Sequence, residues 1–395
     1  MSNETAPRPS TSGRVWILAI VPLLLLGVML AYLVMTGGGL AELAGPPIEQ
    51  VAIQQITLPG PGVIEVEVVN DGPETVIIPQ VLVDDAYWAF SAEPSNEIPR
   101  FGSSRFTIPY PWVEEETHVV RLITSLGATF DAEIAAAVES PQPTVALFWR
   151  FALVGLYVGF VPVLLGMLWY PFLRRLGREG LNFILALTIG LLVYLAIGTW
   201  LDAVEFASEL PAFWQGVPMV ALIALLTLGF LMAVGSGSKH QRSPLAISYL
   251  IAFGIGLHNL GEGLAIGAAF TLGEAALGTF LVLGFTLHNI TEGVGIVAPI
   301  AKVRPALYHF LLLALLAGLP AMFGTWIGGF AYNPVLATLF LAIGVGAILQ
   351  VIWEVGKLIT RDNASTGRSA LTWGNLAGFA LGVGIMYFTA FLVKF

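Results

Sequence analysis

Apolar stretches long enough to cross a membrane recur along most of the chain. A transmembrane helix needs about 20 apolar residues, and eight stretches after residue 145 reach that length. They cover residues 149–171, 181–201, 212–235, 246–270, 277–299, 305–330, 334–356 and 371–393. The pattern predicts a polytopic α-helical membrane domain over residues 145–395 with eight spans.

One more apolar run, residues 15–36, follows a short polar tail, residues 1–14. The apolar core of a cleaved signal peptide is shorter, about 7–15 residues. We therefore predict a cytoplasmic tail followed by a transmembrane anchor, and cleavage after this run is the alternative.

Residues 45–142 have a different pattern, in which short runs rich in β-branched residues alternate with turn sequences. The runs are VAIQQITL, VIEVEVV, ETVIIPQVLV, RFTIPY and HVVRLITS, and the turns include PGPG and NDGP. Five or more short strands joined by turns are typical of a small β-sandwich. His118 follows three consecutive glutamates and is a candidate cation ligand, but we interpret this charged run as a solvated face.

Composition and charge narrow the class of protein. Of the 395 residues 56% are hydrophobic and 11% are charged, whereas a soluble domain has about 25% charged residues. The chain has no cysteine, so a disulfide framework is excluded and any metal must be bound by nitrogen and oxygen. Residues 37–145 carry sixteen acidic and three basic side chains, and the remainder is net positive. This distribution predicts no nucleic-acid partner, and a homodimer is left open.

The charges of the connections predict an orientation in the membrane. FLRRLGREG, SGSKHQRS, AKVRP and GKLITRDNASTGRS are basic, whereas DAVEFASELP and FTLGEAAL are acidic. Basic connections stay on the cytoplasmic side. We therefore expect a multi-pass protein of the plasma membrane, with an extracytoplasmic β-domain and C-terminus.

Two of the apolar segments contain the same polar motif, HNLGEG from His258 and HNITEG from His288. A charged group at the bilayer centre costs about 2.5–3.5 kcal/mol on insertion scales, so such groups are functional by default. A spacing of four residues places His258 beside Glu262, and His288 beside Glu292, on one helix face each. Imidazole and carboxylate bind cations such as zinc. Because the connections make the two helices antiparallel, we predict that these four side chains share one cation site at the membrane midplane.

The asparagines and glycines of the two motifs, and Glu354 in the seventh apolar segment, have two interpretations each. Asn259 and Asn289 lie about 100° around the helix from the histidines, where they face a second cation or hydrogen-bond across helices. The glycines beside the carboxylates either unwind the helices or allow close packing. Glu354, three residues before Lys357, is either an exit-path ligand or one partner of an ordinary ion pair.

The paired motif resembles the fourth and fifth transmembrane helices of the ZIP (Zrt/Irt-like) metal transporters, in which HN-x-x-E-G and H-x-x-x-E sequences form the metal site. The likeness covers roughly residues 145–395, and AIGVGAILQVIWE is similar to the seventh helix of the family. It implies an eight-helix ZIP-like bundle that moves a divalent cation such as Zn²⁺ or Fe²⁺ into the cytoplasm. The metal ligands that it implies are His258, Glu262, His288 and Glu292, with Asn259 and Asn289 on the side of a second metal.

The chain departs from the ZIP pattern at several points. Gly261 and Thr291 stand where the family usually has proline, and the sixth apolar segment lacks the acidic residue often found there. The anchor and the β-domain are additions to the family architecture. Without the prolines, any helix break must come from glycine or be milder. The missing acidic residue argues against a second metal.

The leading hypothesis is a secondary transporter, neither an enzyme nor a protein with a resident cofactor. The chain has no G-x-x-x-x-G-K-[ST] sequence, which argues against ATP-driven pumping. Asp202, Glu205, Glu209 and the acidic β-domain are expected on the outer side, where negative potential raises the local cation concentration. The alternatives are an intramembrane metalloenzyme with a His/Glu zinc site and a membrane metal sensor.

Overall fold

The structure, a computed structural model, describes residues 13–36, 48–208, 210–236, 243–273, 275–364, 367 and 369–393. It describes only the backbone at residues 13–19, 34, 36, 236, 275, 276, 392 and 393. Most of the predicted cytoplasmic tail, Glu209 and the basic connection at residues 237–242 lie outside the described residues.

The first apolar run forms helix α1 (Gly13–Thr36), in a unit separate from residues 49–395. At 1.5 Å per residue its length is about 36 Å, and the hydrocarbon core of a bilayer is about 30 Å thick. The large apolar side chains between Ile20 and Leu33 are exposed. The helix covers the segment predicted as an anchor, and the anchor stays a prediction.

The β-rich region forms two four-stranded antiparallel sheets that share one apolar core. Alternation along the strands builds this core, because successive side chains point to opposite faces. In β2, for example, Val66 and Val68 are fully buried, whereas Glu65 and Glu67, which alternate with them, are only partly buried. The strands are β1 (Val51–Gly60), β2 (Val63–Asn70), β3 (Val76–Ile77), β4 (Gln80–Val83), β5 (Ala86–Trp88), β6 (Ser91–Glu93), β7 (Glu97–Ile98), β8 (Ser103–Ile108), β9 (His118–Ile123) and β10 (Thr129–Ile134).

The order of the strands is β1-β2-β8-β6 in one sheet and β10-β9-β4-β5 in the other, while β3 pairs with β7. The run ETVIIPQVLV, predicted as one strand, divides at Pro79 into β3 and β4, which belong to different sheets. Proline cannot donate to a strand ladder, which explains the division. Strands β5, β6, β7 and β10 lie outside the predicted runs.

Within the described residues, eight candidate membrane spans follow, in agreement with the predicted number and positions. The first span is divided into α2 (Val145–Gly155), a π-helical turn (Leu156–Phe160), α3 (Val161–Met167) and α4 (Tyr170–Leu173). The other spans are α5 (Arg178–Ser208), α6 (Gly216–Ser236), α7 (Pro244–Thr271), α8 (Ala275–Val297), α9 (Leu307–Phe330), α10 (Pro334–Ala364) and α11 (Trp373–Val393).

Helices α5 and α10 extend beyond the apolar segments that predicted them. Asp202 and Glu205, expected in a connection, lie in the last two turns of α5. Helix α10 likewise includes much of the basic sequence that was expected to connect it to α11. Backbone hydrogen bonds continue a helix beyond its last apolar side chains. The apolar segments therefore predicted C-terminal helix ends that are too early in the chain.

Helix α7 packs against α8, α9 and α10, and its glycines permit very close contact. It continues through Gly261 and Gly263 without a break. A Cβ atom at Gly263 would lie 2.0 Å from the Ala321 carbonyl oxygen of α9, and one at Gly261 would lie 3.3 Å from the Phe340 carbonyl oxygen of α10. Of the two interpretations of these glycines, the structure therefore supports close packing rather than unwinding.

The β-domain contacts the connection between α5 and α6. The Asp71 carboxylate accepts hydrogen bonds from the backbone N–H groups of Ala212 and Phe213, at 2.5 and 3.2 Å. The rings of Phe101 and Phe213 meet edge to face with centroids 4.7 Å apart. Asn70 is buried and donates to the Ile98 carbonyl, which fixes the loop that carries Asp71.

Candidate metal centre

The two histidines of the repeated motif meet at one carboxylate. His258 and Glu262 lie one turn apart on α7, and His288 reaches them from α8. His258, Glu262 and His288 are 2%, 3% and 6% exposed, respectively. One ligand atom from each lies within 4.8 Å of the other two. Nitrogen and oxygen donors this close together can bind a single divalent cation.

The Glu262 Oε1 atom faces both imidazole rings. It lies 2.6 Å from His288 Nε2, in hydrogen-bonding geometry, and 2.8 Å from His258 Nε2. The second contact is close but is not aligned as a hydrogen bond, and both ring nitrogens of His258 are buried without an aligned hydrogen bond to any described residue. Buried polar atoms are normally paired, so a buried imidazole that contacts a carboxylate without an aligned hydrogen bond favours a ligand role over a purely structural one.

The two asparagines are oriented by backbone carbonyl groups. Asn259 Nδ2 donates to the Ala317 carbonyl of α9, and Asn289 Nδ2 donates to the Val158 carbonyl, each at 3.0 Å. Both amides are fully buried, and neither side-chain oxygen has a hydrogen-bond partner among the residues that the structure describes. The amide groups therefore make the hydrogen bonds across helices that the sequence suggested, while their oxygens keep capacity to bind a cation.

The carbonyl that receives Asn289 belongs to the π-helical turn in the first span. Val158 lies four residues before Pro162, and proline has no N–H to donate to that carbonyl. The Asn289 amide supplies the missing donor. Single π-helical turns inside α-helices are frequent at functional sites. This contact was not predicted from the sequence, and Pro162 within an apolar segment was the signal that could have indicated it.

Glu292 is buried in the same region but is not one of the three clustered ligands. Its side chain is 3% exposed, and neither carboxylate oxygen has a hydrogen-bond partner within the part of the chain that the structure describes. It lies within electrostatic range of both histidines and of Glu262. The structure thus brings together three of the four predicted ligands, and direct ligation by Glu292 stays a prediction.

Glu354 lies apart from the cluster and pairs with Lys357. The distance from Lys357 Nζ to Glu354 Oε1 is 2.7 Å, and the carboxylate is nearly buried while the lysine is one-third exposed. The ordinary i, i+3 ion pair that the sequence suggested is therefore present. A role for Glu354 on an exit path stays a prediction.

His118 is not on a solvated face, which corrects the sequence interpretation. The three glutamates before it are exposed, but His118 itself is 3% exposed. Its Nδ1 atom lies 2.7 Å from Asp84 Oδ2, and its Nε2 accepts from the Val113 backbone N–H. This contact joins positions 34 residues apart, so a local charge pattern could not reveal it.

Tyr110 also donates to Asp84 Oδ2, at 2.7 Å. Burial opposes ionisation of Asp84, yet the hydrogen bonds from Tyr110, the Val119 amide and His118 lower the pKa of that carboxyl below its usual value. The same hydrogen bond to Asp84 raises the pKa of Tyr110 to about 12. The network stabilises the β-domain and offers no cluster of cation ligands.

Among the described residues, no other group of three His, Asp or Glu side chains has ligand atoms this close together. No protein-family model matches the chain, and no curated protein matches it either. A bundle of eight membrane-length helices with a buried His/Glu group compatible with a metal site is therefore the basis for a functional proposal.

Proposed function

We propose that this protein is a secondary transporter that carries a divalent transition-metal cation, Zn²⁺ or Fe²⁺, across the membrane. One observation carries the proposal: His258 and His288, on different apolar helices, converge on one oxygen of Glu262. All three side chains are buried among helices long enough to span a bilayer. Burying such groups in an apolar bundle is costly, and a cation that they bind offsets that cost.

The set of donor atoms suits a cation that must bind and then leave. Two imidazoles and one carboxylate give three protein ligands, the number at which zinc keeps an open coordination position. An open coordination position allows the cation to exchange one ligand for another without leaving the protein. Nitrogen and oxygen donors of this mixture suit zinc, iron and manganese, with Asn259, Asn289 and Glu292 as further donors nearby.

An apolar layer lies between the cluster and the end of the bundle where α7 begins. Ile251 and Ile255 of α7 and Ile296 and Val297 of α8 are buried in one large apolar core. A hydrated cation does not cross such a layer. In our proposal the site is exposed alternately to the two sides, and this layer separates when the cation is released.

The proposed direction is into the cytoplasm. Lys302 and Arg304 follow α8 at the end where the apolar layer lies, and basic connections favour the cytoplasmic side. The acidic β-domain would then lie outside the cytoplasm, where it attracts cations. The resemblance to ZIP transporters supports the same direction, and it is part of the proposal together with the plasma-membrane location.

Uptake into liposomes tests the proposal. The full chain is reconstituted, and uptake of Zn²⁺, Fe²⁺ and Mn²⁺ is measured for the wild type and for His258→Ala and His288→Ala. The matched control is His309→Ala, because His309 lies in α9 and bonds to the Tyr249 hydroxyl, apart from the cluster. We expect uptake to be lost in the first two variants and kept in the control. Metal binding without uptake by the wild type would instead favour a sensor or an enzyme.

A further inference from the structure

Gln350 is a buried polar side chain that none of the predicted sites includes. It lies on α10, it is fully buried, and neither its amide nitrogen nor its amide oxygen has a hydrogen-bond partner among the described residues. A primary amide that is buried without partners destabilises the folded state. Such a group needs an explanation, and a ligand that it meets during function is one.

The position of Gln350 follows from the packing of α10 against α7. A Cβ atom at Gly344 would lie 3.3 Å from His258 Nδ1, so this part of α10 faces the metal cluster. A Cβ atom at Gly254 would lie 3.1 Å from Gln350 Oε1, so the amide fills the space that this glycine leaves on α7. Gly254 is one helical turn from His258, which places Gln350 about one turn, roughly 5 Å, from the cluster along α7.

On its other side, Gln350 is one turn from Glu354. Residues four apart lie on the same helix face, so the amide and the Glu354 carboxylate both face the same side of α10. His258, Gln350 and Glu354 therefore form a series of buried polar groups along the contact between α7 and α10. Val351 and Ile348, beside them on α10, belong to the apolar core.

We infer that Gln350 Oε1 binds the cation between the His/Glu cluster and Glu354, and that the cation moves along the contact between α7 and α10. The inference rests on the proposed transport function and deepens it. An amide oxygen is a neutral ligand, so it replaces part of the hydration shell without binding as tightly as a carboxylate. Sites that a cation passes must bind it weakly enough to release it. At Glu354 the cation competes with Lys357 for the carboxylate.

The first experiment separates binding from movement. Gln350→Leu keeps similar volume and removes both polar atoms, whereas Gln350→Glu keeps an oxygen ligand. The control is Thr338→Val, because Thr338 is also fully buried on α10 but its hydroxyl is bonded to the Pro334 carbonyl. We expect Gln350→Leu to bind Zn²⁺ within about twofold of the wild type in detergent and to slow liposome uptake by about tenfold or more. Thr338→Val should keep uptake within about threefold. Gln350→Glu should transport faster than Gln350→Leu because it keeps an oxygen ligand, but more slowly than the wild type because a carboxylate binds the cation more tightly.

Wild-type uptake by Gln350→Leu would overturn the inference, because a merely tolerated buried amide can be replaced without loss. A second measurement does not depend on uptake. The chain has no cysteine, so Gln350→Cys introduces its only thiol. We expect Cd²⁺ to give a thiolate-to-metal absorption band with Gln350→Cys and none with Thr338→Cys.

The two failures are distinguishable. If the wild type shows no uptake of any cation, the transport proposal fails, and the cadmium band still decides whether a cation reaches position 350. If the wild type transports but the band is absent from folded Gln350→Cys, the inference about Gln350 fails alone.

Discussion

His288 Nε2 lies 2.6 Å from Glu262 Oε1, although the two residues belong to different apolar helices and are 26 positions apart. The contact makes Glu262 the common partner of both histidines, since His258 Nε2 lies 2.8 Å from the same oxygen. The arrangement is asymmetric. One glutamate of the repeated motif is shared, and the other, Glu292, stands beside the cluster.

Replacing the shared glutamate should affect cation binding most strongly. Glu262→Gln removes the negative charge and leaves the volume unchanged. A hydrogen bond or contact to a charged group is worth about 1.5–3 kcal/mol, and about 1.4 kcal/mol corresponds to a tenfold change in affinity. We expect Zn²⁺ affinity, measured by titration calorimetry in detergent, to fall at least about tenfold. Glu205→Gln, at an exposed position on α5, is the control, and an equal loss there would contradict a specific role for Glu262.

The number of candidate spans and the placement of His258 beside Glu262 could be predicted from sequence. The thickness of a bilayer sets a minimum apolar length, so eight apolar segments predicted eight candidate spans. The four-residue spacing placed His258 over Glu262 on one face. What spacing could not predict was that His288 would contact Glu262 across helices, because that contact depends on the rotation of α8 about its axis.

Features that depend on packing gave little or no signal in the sequence. Gln350 is a single amide in an apolar segment, and only the contact between α7 and α10 shows that it is near the cluster. The burial of His118 depends on Asp84, which lies 34 residues away. Pro162 did carry a signal, but its meaning required knowledge that Asn289 packs against the same turn.

Asn289 should stabilise the π-helical turn of the first span. Asn289→Leu removes the side-chain donor to the Val158 carbonyl, and Pro162 has no N–H to replace it. A buried acceptor left unpaired costs about 1–3 kcal/mol, so we expect a lower temperature of thermal unfolding in the presence of a chelator. Thr286→Val on α8 should change it little, because its hydroxyl bonds only to a carbonyl of the same helix. Equal unfolding temperatures for Asn289→Leu and the wild type would refute the role.

The close packing of α7 on α9 should not tolerate a methyl group at Gly263. Its Cβ would lie 2.0 Å from the Ala321 carbonyl oxygen, so the backbones must separate. Overpacking of this kind costs about 1–3 kcal/mol. Gly198→Ala on α5 has nothing within 4 Å of the new atom and should be neutral or stabilising, because alanine favours helix by about 1 kcal/mol. Thermal unfolding of both variants checks the difference in sign.

The network around Asp84 predicts an alkaline dependence of β-domain stability. The pKa of Tyr110 is raised from 10.0 to about 12 because its hydroxyl donates to Asp84. A raised pKa means that the folded state holds the proton more tightly, so this contribution is complete below pH 10 and is lost as the pH rises toward about 12. Tyr110→Phe should remove that dependence. In a titration followed by tyrosine absorbance, the difference between wild type and Tyr110→Phe should show one group that ionises near pH 12, and a group near pH 10 would contradict the network.

Asp71 should hold the connection between α5 and α6 against the β-domain. Its carboxylate accepts hydrogen bonds from two successive backbone N–H groups, those of Ala212 and Phe213. Asp71→Ala removes this acceptor from both groups. We expect faster amide hydrogen exchange at residues 212–216 and unchanged exchange in β2 and β8. Asp85→Ala serves as the control, since its exposed carboxylate pairs with Arg121 at the surface and exposed pairs contribute little. Unchanged exchange at residues 212–216 in Asp71→Ala would show that the contact of Phe101 with Phe213 holds the connection on its own.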